Sequence, residues 1–164
     1  MLSLVPPTPS IPIRHSLKKT FVSLKEQEQQ EAVNLITAAT NSFIDALNSH
    51  NFDPSSPPWT KHHTADYTHT GNRFPKRSLS EWLAWMQATA DEFPEYAIQA
   101  VDVQVQCNCN TGKAHVFLNN QTWNAPRGTV RRGLAVTEWR RDGEGKWWVV
   151  KTRTLRGMGL EDGL

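Results

Sequence analysis

The chain has 164 residues, a net charge of +2, seven Trp, six Phe and two Cys. That length suits one domain with a core large enough to need no metal or disulfide staple. No run of ~18 apolar residues is present to span a membrane.

The charge is segmental. Residues 1–25 carry +4, residues 26–125 carry −6, residues 126–156 carry +6 and the last eight carry −2. A basic C-terminal sheet attracts anions, but its Arg and Lys also suit pairing with the acidic helices. No nucleic-acid motif accompanies it, so neither a nucleic acid nor a membrane is expected as a partner.

Residues 1–25 are rich in Pro and hydroxyl side chains, and Pro6, Pro7, Pro9 and Pro12 argue against a helix there. The segment is expected to be a flexible arm, without the amphipathic helix or apolar core of a targeting signal. From Glu26 to about His50, Val33, Ile36, Ala39, Phe43 and Leu47 fall at helical spacing. Pro54, Pro57 and Pro58 prevent the helix from resuming. A second helix is predicted from Ser78, which forms a capping box with Glu81. Leu79, Trp82, Leu83, Met86 and Ala90 make its apolar face, and Pro94 ends it. Between the helices, WTKHHTADYTHTGNRFP is a polar connector rich in titratable groups.

Beyond Pro94 the period becomes two. Val101, Val103, Val105 and Cys107 alternate with Asp102, Gln104 and Gln106. Further strands are predicted over 113–124, 129–141 and 146–156, separated by turns at Asn110-Thr111-Gly112, 125–128 and 142–145. Residues 158–164 form a tail. Helices followed by strands predict an α+β domain over 26–157, with helices on one face of an antiparallel sheet. Cys107 and Cys109 are two apart. On a strand they share a face with Cα atoms ~6.5–7 Å apart, too far for an easy disulfide. A reducing, cytoplasmic compartment is therefore expected. A metal site there would need ligands that no nearby His or Cys cluster supplies.

Three pieces, FIDALNSHNFD, ADYTHTG and VTEWRRDGEGKWWVVKTRTLRG, together resemble the nuclear-transport-factor-2-like superfamily, in particular its SnoaL-like, polyketide-cyclase-like branch. The resemblance covers about residues 28 to 157. It implies a cone-shaped fold in which a strongly bent sheet wraps the helices and leaves a pocket at its open end. It also implies small-molecule chemistry without a cofactor: cyclisation, isomerisation or dehydration of a polyketide- or terpenoid-like substrate. The alternative it allows is a non-catalytic ligand-binding or dimerisation module.

Strand faces decide what lines such a pocket. A four-residue loop at 142–145 sets Arg141 opposite Lys146 and Trp139 opposite Trp148. The face bearing Leu134, Val136, Glu138, Trp147, Val149 and Arg153 has more aliphatic mass and is expected to be concave, unless a bulge shifts the register. Glu138 and Arg153 then become ligand contacts or an internal ion-pair network. Trp139 and Trp148 lie on the outer face, where a homodimer is expected to form.

In the connector, His62, His63, Asp66, Tyr67 and His69 are candidates for acid/base work. Each also suits an exposed loop, and Asp66 a turn cap. A zinc triad of His62, His63 and His69 is a further alternative; the expected site holds no metal. On the second strand His115, Phe117, Asn119 and Trp123 share a face. The expected catalytic set is His69 or His115 as acid/base, with Asp66 orienting a histidine and Tyr67 and Asn119 bonding an oxyanion. His63, Trp82, Met86, Phe117 and Trp123 complete a wall for a hydrophobic ligand.

Overall fold

A computed structural model describes residues 13–71 and 74–156. The element order is α1 (Ile13–Asn48), α2 (Trp59–His62), β1 (His63–Gly71), β2 (Phe74–Arg77), α3 (Leu79–Glu92), β3 (Ala97–Asn108), β4 (Lys113–Trp123), β5 (Val130–Arg141) and β6 (Trp147–Arg156). Helix α1 begins directly after Pro12 and so takes in residues 13–25 of the expected arm. That stretch contains neither Gly nor Pro to interrupt it. Residues 1–12 and the 158–164 tail lie outside the described residues. None of the described helices is long and apolar enough to cross a membrane.

Six strands form one sheet in the order β2-β1-β6-β5-β4-β3. Two of them, β1 and β2, occupy the expected connector. β1 pairs with β6 in parallel, with His69 opposite Thr152, and with β2 antiparallel. Its polar, hydroxyl-rich sequence conceals a strand whose buried member is Tyr67. The other pairs, β3–β4, β4–β5 and β5–β6, are the antiparallel ladder expected.

Helix α1 lays Ala32, Ile36, Ala39, Phe43 and Leu47 toward the sheet. Helix α3 starts at Ser78, whose side chain accepts from the Glu81 amide at 3.3 Å while Glu81 accepts from the Ser78 amide at 2.7 Å. Leu83, Met86 and Ala90 are its buried face. The result is an α+β cone: one bent sheet curled around α1, with α3 beside the open end.

The expected faces are reversed on β5 and on the second half of β6, whereas Trp147 and Val149 face inward and Trp148 outward as expected. Trp139 is 1% exposed and sits in the core with Val116 and Val149, so β5 turns Gly133, Ala135, Thr137 and Trp139 inward. Leu134, Val136 and Glu138 face outward. Two departures from simple pairing produce this result. The Asp142 carboxylate accepts from the amides of Glu144 and Lys146, both at 2.9 Å, which pulls Lys146 into the turn and sets Arg141 opposite Trp147. A bulge at Val150 then shifts the parity of β6 by one residue, because Trp139 pairs with Val149 but Glu138 pairs with Lys151. Trp147, Val149, Thr152 and Thr154 therefore all point inward. Trp148 stays on the outer side, its Nε1 donating to Asp142 at 2.7 Å. A second bulge, at Val101 between Ala100 and Asp102, leaves that valine 59% exposed.

The closed end of the cone is tied to α1 by Arg141. It pairs with Glu28, donates to the Cys109 carbonyl at 2.6 Å and lies over the Trp147 ring. The Cys107 and Cys109 sulfurs are 3.9 Å apart in this region, and burial pushes the Cys107 thiol up to about 12.

Candidate active site

The open end of the cone holds a cavity of about 500 Å³. β1 lines it with His63, Tyr67 and His69. Trp82 and Met86 come from α3, and Leu118, Asn120, Thr137, Thr152 and Thr154 from the sheet. β1 has this influence because His63, Tyr67 and His69 project to one side of a strand held between β2 and β6. The bend of the sheet and the bulge at Val150 supply Thr152 and Thr154 opposite them.

His63 has one ring nitrogen fixed. Its Nδ1 is 3.1 Å from the Trp59 carbonyl, and a carbonyl can only accept, so Nδ1 carries the hydrogen and Nε2 keeps its lone pair. Nε2 makes no hydrogen bond to the described residues. The ring packs edge-on to Tyr67 with centroids 4.7 Å apart, and against Phe43 at 4.8 Å. Burial pushes His63 down to about 4, so the ring is neutral near pH 7.

His69 is held on three sides. It stacks on Trp82, with centroids 4.7 Å apart and planes 9° apart. Its Nδ1 lies 3.3 Å from the Tyr67 hydroxyl and its Nε2 lies 2.9 Å from the Thr154 hydroxyl. Burial, aided by the charge of Arg77, pushes this histidine down to about 4 as well. Burial holds the Tyr67 proton well above the usual tyrosine range, against a weaker opposing bond from Thr152. With Nδ1–H donating to Tyr67 and the Thr154 hydroxyl donating to Nε2, the Tyr67 O–H is free to donate into the cavity. A concerted flip of the three protons reverses that direction.

Several predicted site residues lie elsewhere. His115 is exposed on the convex face, paired across the ladder with Gln106 and Glu138. It cannot meet His69 in one cavity. Phe117, Asn119 and Trp123 share that outer parity, as do Glu138 and Arg153, so none lines the cavity. The inward amide is Asn120, one residue on, and it packs against Gly133, where an added Cβ would come within 2.9 Å of its Oδ1. Asp66 is exposed and makes no bond to a histidine. His62 turns into the core against Trp139, with ring centroids 5.8 Å apart. Accordingly no three of His, Cys, Asp and Glu gather as a metal-ligand set among the described residues, and the zinc triad does not assemble.

A curled sheet around one long helix, with an aromatic cavity at its open end, is the NTF2-like, or cystatin-like, fold. Solved structures with this architecture are similar to about four fifths of the chain. A hexachlorocyclohexane dehydrochlorinase, LinA-type3, from Novosphingobium barchaimii aligns with a TM-score of 0.65 at 8% identity, covering 82% of this chain and 92% of that one. An NTF2-like protein of unknown function from Pseudomonas putida aligns with a TM-score of 0.63 at 14% identity, covering 80% and 91%. A Streptomyces avermitilis protein of the NTF2-like family, provisionally assigned as a dehydratase, aligns with a TM-score of 0.59 at 15% identity, covering 79% and 99%. At such identities the likeness establishes the fold alone. No family model and no curated protein sequence matches the chain.

Proposed function

We propose that the protein is an enzyme that removes a proton from a hydrophobic small molecule, in an elimination or isomerisation that uses no cofactor. The observation that carries this reading is His63: one nitrogen is tied to the Trp59 carbonyl, the other makes no hydrogen bond to the described residues, and the ring lines the cavity edge-on to that of Tyr67. Two fold neighbours named for eliminations, the dehydrochlorinase and the provisional dehydratase, agree with it in class.

In the proposed reaction His63 Nε2 takes a proton from a carbon next to a carbonyl. The Tyr67 O–H, backed by His69 and Thr154, donates to the oxygen that gains negative charge. For a β-hydroxy carbonyl compound the C–H bond breaks, the C=C bond forms and the C–O bond breaks. The departing hydroxide recovers the proton from the His63 imidazolium and leaves as water. A base pushed down to about 4 is weak, so the substrate must have an acidified C–H, which the carbonyl provides. A polyketide-like or terpenoid-like ketone meets both this demand and the aromatic lining.

A binding protein without turnover is the second reading. It is favoured by the want of a carboxylate bonded to His63 or His69 among the described residues. A homodimer through the convex face belongs to either reading, with Phe117, Val136 and Trp148 at the contact and Trp139 excluded from it by burial.

The test is exchange in D2O. A panel of aromatic and polycyclic β-hydroxy ketones is incubated with the protein and followed for deuterium at the α carbon and for loss of water. Exchange that disappears in His63→Ala and falls in Tyr67→Phe supports the enzyme. No exchange, or exchange indifferent to both changes, leaves the binding reading.

A further inference from the structure

Three arginines line the cavity along with the histidines: Arg77 on β2, and Arg131 and Arg132 at the start of β5. Glu92 is the acid among the lining residues. No ion pair or hydrogen bond joins any of the three arginine side chains to another described residue. The arginine ion pairs among the described residues are Arg127 with Glu95 and Arg141 with Glu28. Glu81 feels the charge of Arg77, but its carboxylate is committed to the Ser78 amide and hydroxyl at 2.7 and 2.9 Å.

Arg77 is also held in place. Its guanidinium carbon lies 5.1 Å from the Phe74 ring centre and 5.2 Å from that of Trp85. Rings packed over a guanidinium engage its faces and leave the in-plane N–H fork open, the geometry that matches a carboxylate. Arg131 has the inward parity of Gly133 and Ala135, opposite Thr122, which lines the cavity too. Both arginines are partly buried, and among the described residues no carboxylate forms an ion pair with either to offset the desolvation cost.

Exposure gives the cavity a direction. Trp59 and Tyr67 are 0% and 3% exposed at its floor, whereas Phe74 and Trp85 are 39% and 36% exposed at its lip beside Arg77. We propose that the ligand is an amphiphilic acid, with an apolar aromatic or polycyclic body on the floor and a carboxylate at the lip held by Arg77 and Arg131. This adds a charge to the substrate of the proposed reaction and rests on that reading only for the use of this cavity.

Calorimetric titration of the full chain with naphthalene-2-carboxylate, its methyl ester and 2-naphthyl phosphate tests it. The carboxylate binds about tenfold more tightly than the ester at low salt, and the gap narrows as salt is added. Arg131→Gln and Arg77→Gln each remove most of that gap while ester affinity stays put. Because Arg77 supports the lip, Arg131→Gln, checked by an unchanged melting curve, is the decisive variant. The proposal is overturned by an ester that binds as well as the acid, by a gap that survives Arg131→Gln, or by no binding of any of the three. Preferential capture of the phosphate overturns the carboxylate assignment. If deuterium exchange fails but the acid-over-ester gap holds, the catalytic reading falls and this one stands.

Discussion

The carbonyl of Trp59 and the Nδ1 of His63, 3.1 Å apart across the junction of α2 and β1, fix a single tautomer of that histidine. A glutamine at 63 can keep a hydrogen bond to the carbonyl but offers no lone pair of comparable basicity. His63→Gln is therefore expected to preserve ligand affinity within a few fold and to lower turnover by about 10²–10⁴, the usual range for a lost acid/base group. Paired calorimetry and kinetics separate the two effects; a parallel loss of binding and rate would make His63 a contact and not a base.

Tyr67→Phe removes a hydroxyl that touches His69 and leaves Nδ1 of that ring buried without its partner. Stability is expected to fall by about 1–3 kcal/mol for the unsatisfied group. Turnover falls by roughly 10²–10³ if the hydroxyl stabilises an oxyanion. Chemical denaturation and initial rates on the same preparation give both numbers. A rate within twofold of the parent removes Tyr67 from the chemistry.

Acid should destabilise the fold chiefly through two rings, with a further contribution from His62, which burial also pushes down. His63 and His69 are each pushed down to about 4 from the ordinary 6.5, chiefly by burial. Their folded values lie below the unfolded ones, so between pH 6.5 and 4 the unfolded chain binds more protons. The stabilisation from the neutral rings is complete above about pH 6.5 and drains away as pH falls toward 4, at about 1.4 kcal/mol per pH unit for each histidine. Denaturation midpoints at pH 7, 6 and 5 trace this slope, and a His63→Gln, His69→Gln double variant should make it shallower, leaving the part due to His62. A parent curve flat over that window contradicts the burial of both rings as neutral groups.

The two tryptophans of the final hairpin should separate cleanly. Trp139 is 1% exposed, and its truncation to Ala is expected to cost about 3–5 kcal/mol. Trp148 lies on the outer side, with its indole N–H on Asp142 and Lys146 Nζ 3.6 Å from its ring centre, so Trp148→Ala should cost about 1 kcal/mol. Urea denaturation of the two variants decides which face is inside; equal losses would speak against the register that sets Arg141 opposite Trp147.

At the start of α3, Ser78→Ala removes the acceptor for the Glu81 amide and should cost about 1 kcal/mol. The melting temperature reports it directly.

The capping box at Ser78 was legible because it depends on residues three apart, as was the hairpin turn at Asp142. The α+β class followed from helices preceding strands, and the period-two alternation located the antiparallel strands. The faces of β5 and β6 did not follow, because each hinged on one extra residue. Counting back from a four-residue turn sets Trp139 opposite Trp148 and outside, while the longer turn closed on the Asp142 carboxylate sets it opposite Val149 and inside, and the Val150 bulge turns Thr152 inward in place of Arg153. On β4, with Phe117 on one face and Val116 and Leu118 on the other, polarity gave no direction, and the face bearing His115 and Asn119 is the outer one. β1 was invisible for another reason. Its partner β6 lies some 80 residues away, and a strand of Thr, His and Asp beside a cavity carries no apolar alternation to announce it. The titratable density of that stretch was the usable signal, and it pointed to the segment that lines the cavity.

The parallel pairing of β1 with β6 has a consequence for the order in which the protein is made. Residues 63–71 can pair early with the short β2, but their neighbour in the main sheet comes only when residues 149–154 arrive. On the ribosome α1, α3 and the β3–β4 hairpin can assemble early from contacts local in sequence, whereas the strand bearing His63, Tyr67 and His69 must wait for the end of the chain. Nascent chains ending before about residue 149 can pair that strand with β2 alone and cannot join it to the rest of the sheet. The cavity is thus among the last features to be completed, and a truncation that spares every residue lining β1 would still abolish it.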